Sequence, residues 1–216
     1  MIGQAYVTAP PGGQGGPGVL LLHAWWGLTP FFRTLADRLA DEGFVVIVPD
    51  LHGDGRTADT PDEAEALLAS TDADRTADLV LSSAATLAGL DITPDGPIGV
   101  LGFSMGASWA MWLATRAAST IAATAIYYGD QDIDFSAATS AFLGHFAEHD
   151  EFVSEDSRVE MEAHLRLLDK EVEFHHYAGT GHWFAEEDRL AAYDEAAASL
   201  AWERTVAFLR QHLSNT

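Results

Sequence analysis

Three polar residues far apart in the chain, Ser104, Asp150 and His182, could together perform nucleophilic acyl transfer. A serine hydroxyl is a weak nucleophile at neutral pH. It needs an imidazole to take its proton and a carboxylate to orient that imidazole. Ser104 lies in Gly102-Phe103-Ser104-Met105-Gly106, a Gly-x-Ser-x-Gly pattern that closes the apolar run Pro97-Ile98-Gly99-Val100-Leu101. In such an elbow a strand turns sharply into a helix, and the serine takes strained backbone angles that only small neighbours tolerate. Three specified positions are a weak signal alone, so the setting decides. Ile98, Val100 and Leu101 read as a buried strand, and Ala107, Ala110, Met111, Ala114 and Ala117 follow at helical spacing.

On an elbow of this kind the partners follow in the order serine, acid, histidine. Seven histidines lie downstream: His145, His149, His164, His175, His176, His182 and His212. His182 is the best placed, in the glycine-rich loop Ala178-Gly179-Thr180-Gly181-His182-Trp183-Phe184 just after a predicted strand. His175 and His176 fall inside that strand, and His164 and His212 fall on predicted helices, where packing or surface roles are expected. Glu148, Asp150 and Glu151 occupy the loop after the penultimate strand; Asp150, just before Phe152-Val153, is the favoured acid. The earlier cluster Asp130, Asp132 and Asp134 reads as a surface turn. An oxyanion needs two backbone N–H donors, one from the residue after the nucleophile and one from an earlier strand-end loop. Met105 is expected to supply the first and Trp25, in His23-Ala24-Trp25-Trp26-Gly27, the second. Trp26, Trp183 and Phe184 are candidate pocket walls.

The elements that must position these residues alternate along the chain. Strands are expected at 2–8, Val19–Leu22, Phe44–Val48, Ile98–Leu101, Ile121–Tyr128, Ser140–Phe146 and Val172–Tyr177. Between them, Phe32, Leu35, Ala36, Leu39 and Ala40 mark a helix stopped by Gly43. Further helices are expected after Pro61, over 74–88, behind the elbow, around Met161–Leu168, and at the close from Trp202 to Leu213. This alternation implies right-handed crossovers and an α/β fold, a three-layer α/β/α sandwich with a mostly parallel sheet. The loop Pro49-Asp50-Leu51-His52-Gly53-Asp54-Gly55-Arg56 lies at a strand's carboxyl end, where open sheets usually place ligands.

Composition bounds the function classes. The 216 residues suit one domain over 1–216, and a hydrophobic share of 48% argues against disorder. Thirty-three acidic residues against eleven basic ones give a formal charge of −22, so nucleic acid and anionic membranes should be repelled. A solvated acidic surface is the plain reading of that charge, and adaptation to high salt is the sharper one. Cysteine is absent, which excludes a thiolate nucleophile and a disulfide framework. No apolar run is long enough for a membrane helix, and Met1 to Tyr6 lacks a signal-peptide pattern, so a cytoplasmic protein is expected.

With the strand-end His23-Ala24-Trp25-Trp26-Gly27, the elbow, Asp150 before Val153, Gly181-His182-Trp183-Phe184, Pro49-Asp50-Leu51 and Tyr127-Tyr128-Gly129 in place, the chain resembles the dienelactone hydrolase family over nearly its full length. The resemblance implies a minimal α/β-hydrolase without a large lid, hydrolysis of a small ester or lactone through an acyl-enzyme, and no metal or organic cofactor. Monomers or small homo-oligomers are expected. The chain departs from the best-known members at three positions. Ser104 stands where they carry the nucleophilic cysteine, and Ala24 where they carry a glutamate that helps control that cysteine's protonation. A serine has no resting thiolate to manage, so these two changes agree with each other. Glu186 stands where they use an arginine to hold a substrate carboxylate, and a carboxylate there is expected to repel an anionic substrate. Other acyl or C–C hydrolysis on the same triad, and a small-molecule-binding homologue without turnover, are the rival readings. A histidine-based metal site is the weakest; His145 and His149 would align only if their stretch were helical.

Overall fold

The computed structural model describes residues 5–213. Its centre is a seven-stranded sheet built from Ala5–Thr8 (β1), Gly18–Leu22 (β2), Val45–Pro49 (β3), Ile98–Phe103 (β4), Ile121–Tyr127 (β5), Ala141–His149 (β6) and Val172–Gly181 (β7). The spatial order is β1-β3-β2-β4-β5-β6-β7. Only the edge strand β1 runs antiparallel to its neighbour; the other pairings are parallel. Positions 2–4 of the expected first strand lie outside the described residues.

Helices cover both faces, which is why β2, β3 and β4 are apolar and buried throughout their length. Side chains alternate between two cores. Val19, Leu21, Val46, Val48, Leu101 and Phe103 meet Pro30–Asp41 (α1) and Glu195–Leu213 (α6). Leu20, Leu22, Val45, Ile47, Ile98 and Val100 meet Ala73–Ala88 (α3), Met105–Arg116 (α4) and Glu155–Leu167 (α5) on the other face. Pro61–Ala69 (α2) opens on a reciprocal cap: Thr60 Oγ1 accepts from the Glu63 amide, and Glu63 Oε2 accepts from the Thr60 amide. Among the described residues no helix is long and apolar enough to cross a membrane.

α6 begins at Glu195, well before the expected Trp202, β4 runs on to Phe103, and two other strand ends move further. β6 runs on to His149, and β7 continues through Ala178-Gly179-Thr180 to Gly181, which pairs with His149 beyond an irregularity in register. His145 and His149 therefore belong to a strand and form no helical pair. His145 is wholly buried, its Nδ1 2.8 Å from the Tyr177 hydroxyl and its Nε2 2.9 Å from Thr205 Oγ1. Burial holds its pKa well below the ordinary histidine range. This neutral imidazole joins β6 and β7 to α6.

Candidate active site

The site begins where β4 ends. Ser104 has φ 51 and ψ −115, and its amide donates to the Tyr127 carbonyl at 3.0 Å, so the sheet holds the strained turn. The two glycines of the elbow permit close approach. A Cβ on Gly106 would collide with the Leu22 and His23 carbonyl oxygens, and one on Gly102 with the Gly106 carbonyl. α4 consequently lies directly against the end of β2.

Register brings the other two residues together. Because His149 and Gly181 are paired in adjacent parallel strands, Asp150 and His182 leave the sheet side by side. Ser104 Oγ lies 2.9 Å from His182 Nε2, and His182 Nδ1 lies 2.8 Å from each Asp150 oxygen. A carboxylate can only accept, so the imidazole proton sits on Nδ1 and the Nε2 lone pair faces the serine hydroxyl. Asp150 Oδ1 also accepts from the amides of Phe152 and Val153, at 2.9 and 3.0 Å. Both side chains, His182 and Asp150, are about 4% exposed. The acidic neighbours do not reach the imidazole: Glu148 accepts from the Gly179 amide at 2.7 Å, and Glu151 is exposed. Asp134 closes a surface turn on Ser136, through its amide and its hydroxyl.

The His23–Gly27 segment, delivered by β2, lies beside the elbow. The Met105 amide belongs to the first turn of α4, where N–H groups have no intrahelical partner. Among the described residues the Trp25 amide likewise finds no acceptor. The carbonyls on either side of it are both engaged. That of Ala24 accepts from His23 Nδ1 at 2.7 Å and the Gly27 amide at 3.2 Å; that of Trp25 accepts from His52 Nε2 at 3.0 Å. The Leu51 amide donates to His23 Nε2 at 2.9 Å, and burial pushes the His23 pKa down to about 4. Its proton is thereby confined to Nδ1.

Aromatic rings surround His182. Phe152, half exposed, lies 4.8 Å from the His182 ring, 5.7 Å from Trp25 and 5.3 Å from Trp183. Trp183 stacks at 6.0 Å on Trp25, and both contact Trp26, which is almost wholly buried beneath them with Arg189 over its ring. Phe184 does not line the site. The tight turn after β7, with Trp183 at φ 68, swings its ring into the core against Tyr127, Tyr128 and Tyr177. Glu186 does not face a substrate either: it is wholly buried and accepts from the Tyr128 hydroxyl at 2.8 Å. Burial raises its pKa to about 8, so near neutrality it is mostly uncharged. Tyr128 in turn packs its ring 4.8 Å from that of His182. Among the described residues no group of three or more histidine, cysteine or acidic side chains could hold a metal ion.

A mostly parallel sheet, helices on both faces, and a serine at the sharp turn after a central strand define an α/β-hydrolase. The comparison with family descriptions is specific: the dienelactone hydrolase family matches residues 4–213. The chain is 32% identical over 220 residues to protein usf of Aquifex pyrophilus, covering 98% of this chain and 94% of that one. It is 30% identical over 228 residues to a carboxymethylenebutenolidase of Rhodococcus opacus, covering 97% and 86%. A dienelactone hydrolase-like promiscuous phosphotriesterase from metagenomic libraries shares the fold, with a TM-score of 0.87 at 18% identity over 97% of this chain and 92% of that one. The chain belongs to the dienelactone hydrolase family and is a hydrolase of the lactone and ester type.

Proposed function

We propose that the protein cleaves a small carboxylic ester or lactone through an acyl-enzyme on Ser104. The observation that carries this reading is the continuous relay from Ser104 Oγ through His182 to Asp150, at 2.9 and 2.8 Å. His182 Nε2 takes the hydroxyl proton as Ser104 attacks the carbonyl carbon. The alkoxide oxygen is stabilised by the amides of Met105 and Trp25. Asp150 holds the imidazole and stabilises its cationic form. The imidazolium then gives its proton to the leaving alkoxide. A water deprotonated at the same nitrogen attacks the acyl carbon, and collapse returns the proton to Ser104 and releases the acid.

The rings of Trp25, Phe152 and Trp183 beside His182 support an uncharged, apolar or aromatic substituent on the substrate. Glu186, buried and mostly uncharged near neutrality, supplies no positive group to hold a substrate carboxylate. The experiment is intact-mass labelling with a fluorophosphonate, comparing wild type with Ser104→Ala and His182→Ala. One adduct on wild type and none on either variant is the expected result. A folded wild type that does not label would refute the serine assignment and favour a binding protein.

A further inference from the structure

His52 and His23 hold the two peptide planes on either side of Trp25. The Ala24 carbonyl shares its plane with the Trp25 amide and accepts from His23 Nδ1; the Trp25 carbonyl belongs to the next plane and accepts from His52 Nε2. A carbonyl can only accept, so His52 Nε2 carries a proton. With Nε2 protonated and its pKa lowered by burial, the ring presents an acceptor at Nδ1, so the Thr71 hydroxyl 2.7 Å away gives it its single proton in preference to the Leu67 carbonyl at 2.9 Å, and the ring is held from both sides. The loop that carries it is fastened independently. Asp50 accepts from the amides of His52 and Gly55, at 3.2 and 2.6 Å, and Thr76 Oγ1 donates to the Leu51 carbonyl at 3.0 Å. An imidazole mostly withdrawn from water, between a helix end and the peptide next to the elbow, has a purpose beyond solubility.

We propose that His52 is a positioning residue for the oxyanion hole: by donating to the Trp25 carbonyl it fixes the backbone of Trp25 so that the amide points at the developing alkoxide. His23 sets the preceding plane, and His52 removes the remaining rotation about the Trp25 backbone. This inference rests on the reading of the Trp25 amide as an oxyanion donor. A misaimed donor weakens the transition state more than the bound ester, because the full charge exists only after attack.

The test compares His52→Leu, which removes both nitrogens, with His52→Gln, whose amide N–H can reach for the same carbonyl. Two readouts are needed on fluorophosphonate-titrated enzyme: kinetics on p-nitrophenyl acetate, and affinity for an aryl trifluoromethyl ketone, whose serine adduct bears the alkoxide. His52→Leu is expected to lower kcat about 10- to 100-fold with little change in KM, and to weaken ketone binding by a similar factor. His52→Gln should recover most of both. A kcat per titrated site close to wild type in His52→Leu, or a loss that Gln does not relieve, overturns the proposal. Should His52→Leu fail to fold, Thr71→Val loosens the ring from its other side and must lower kcat and ketone affinity together; no change in either overturns the proposal equally. Replacing Trp25 by indole-3-lactic acid keeps the indole and removes the N–H, at the cost of a weaker acceptor at the Ala24 carbonyl, and separates the two readings. If this substitution slows turnover and the His52 variants do not, the positioning role fails while the hole stands; if it changes nothing, the hole assignment itself fails.

Discussion

Replacing Asp150 by asparagine tests the relay through the direction of a single proton. Asp150 Oδ1 accepts from the Phe152 and Val153 amides, and both oxygens lie 2.8 Å from His182 Nδ1. In Asp150→Asn the amide oxygen must remain on the two backbone donors, which places the NH2 group where Oδ2 now meets the imidazole. That group can only donate, so beside it the favoured tautomer carries its proton on Nε2, against the pull of the retained oxygen 2.8 Å from Nδ1. The Nε2–H then faces Ser104 and cannot act as the base. The expected loss in kcat is about 10⁴-fold, or about 5.5 kcal/mol in the barrier. The fold should be spared, since both backbone amides keep their acceptor. Asp150→Ala should lose comparable activity and also melt earlier, because the buried Val153 amide is left without its acceptor, at a cost of about 1–3 kcal/mol. Kinetics on an activated ester together with thermal melting of both variants are the assay. An asparagine variant within tenfold of wild type would refute the tautomer argument and move the acid elsewhere.

Glu186 predicts a pH dependence of stability. Folded, it keeps its proton up to about pH 8; unfolded, it loses it near the ordinary 4.5, so raising the pH between those values favours the unfolded chain. Its contribution is present below the lower value and lost above the upper one. Melting curves of wild type and Glu186→Gln should therefore converge at acidic pH and separate toward about pH 9 with the variant higher, and parallel curves would count against the buried proton. Gly106→Ala should destabilise by more than about 1–3 kcal/mol, since the added methyl meets backbone oxygens of β2 that cannot move aside without shifting the strand. Chemical denaturation measures this, and a wild-type midpoint would mean that α4 and β2 can separate at little cost.

Residues whose role is set by the backbone were legible in the chain itself. Gly102 and Gly106 announce a close approach of helix and strand, and the alternating apolar runs announce the parallel sheet. The positions of Asp150 and His182 follow from their places just beyond successive strand ends. What stayed hidden depends on a turn or on long-range contacts. The glycines at 179 and 181 suggest a loop, yet the pairing of β6 with β7 carries the strand through them. Phe184 sits two residues from His182, but the left-handed backbone at Trp183 sends it into the core. Glu186 stands at a position expected to face substrate, but the long-range contact with Tyr128 holds its carboxyl in the core. His52 shows no periodicity that could tie it to Trp25, because the contact joins two loops brought together only by the order of β2 and β3 in the sheet.

Asp150 meets the loop that carries Phe152 through main-chain N–H groups alone. The aromatic wall and the proposed relay therefore share an anchor that is blind to side-chain identity. Position 152 is free to vary toward a smaller, larger or charged group as the substrate changes, and the acid keeps its place; proline, which has no N–H to give, is the exception at 152 and 153. Substrate range and catalytic competence can thus diverge in evolution one residue apart on the same turn.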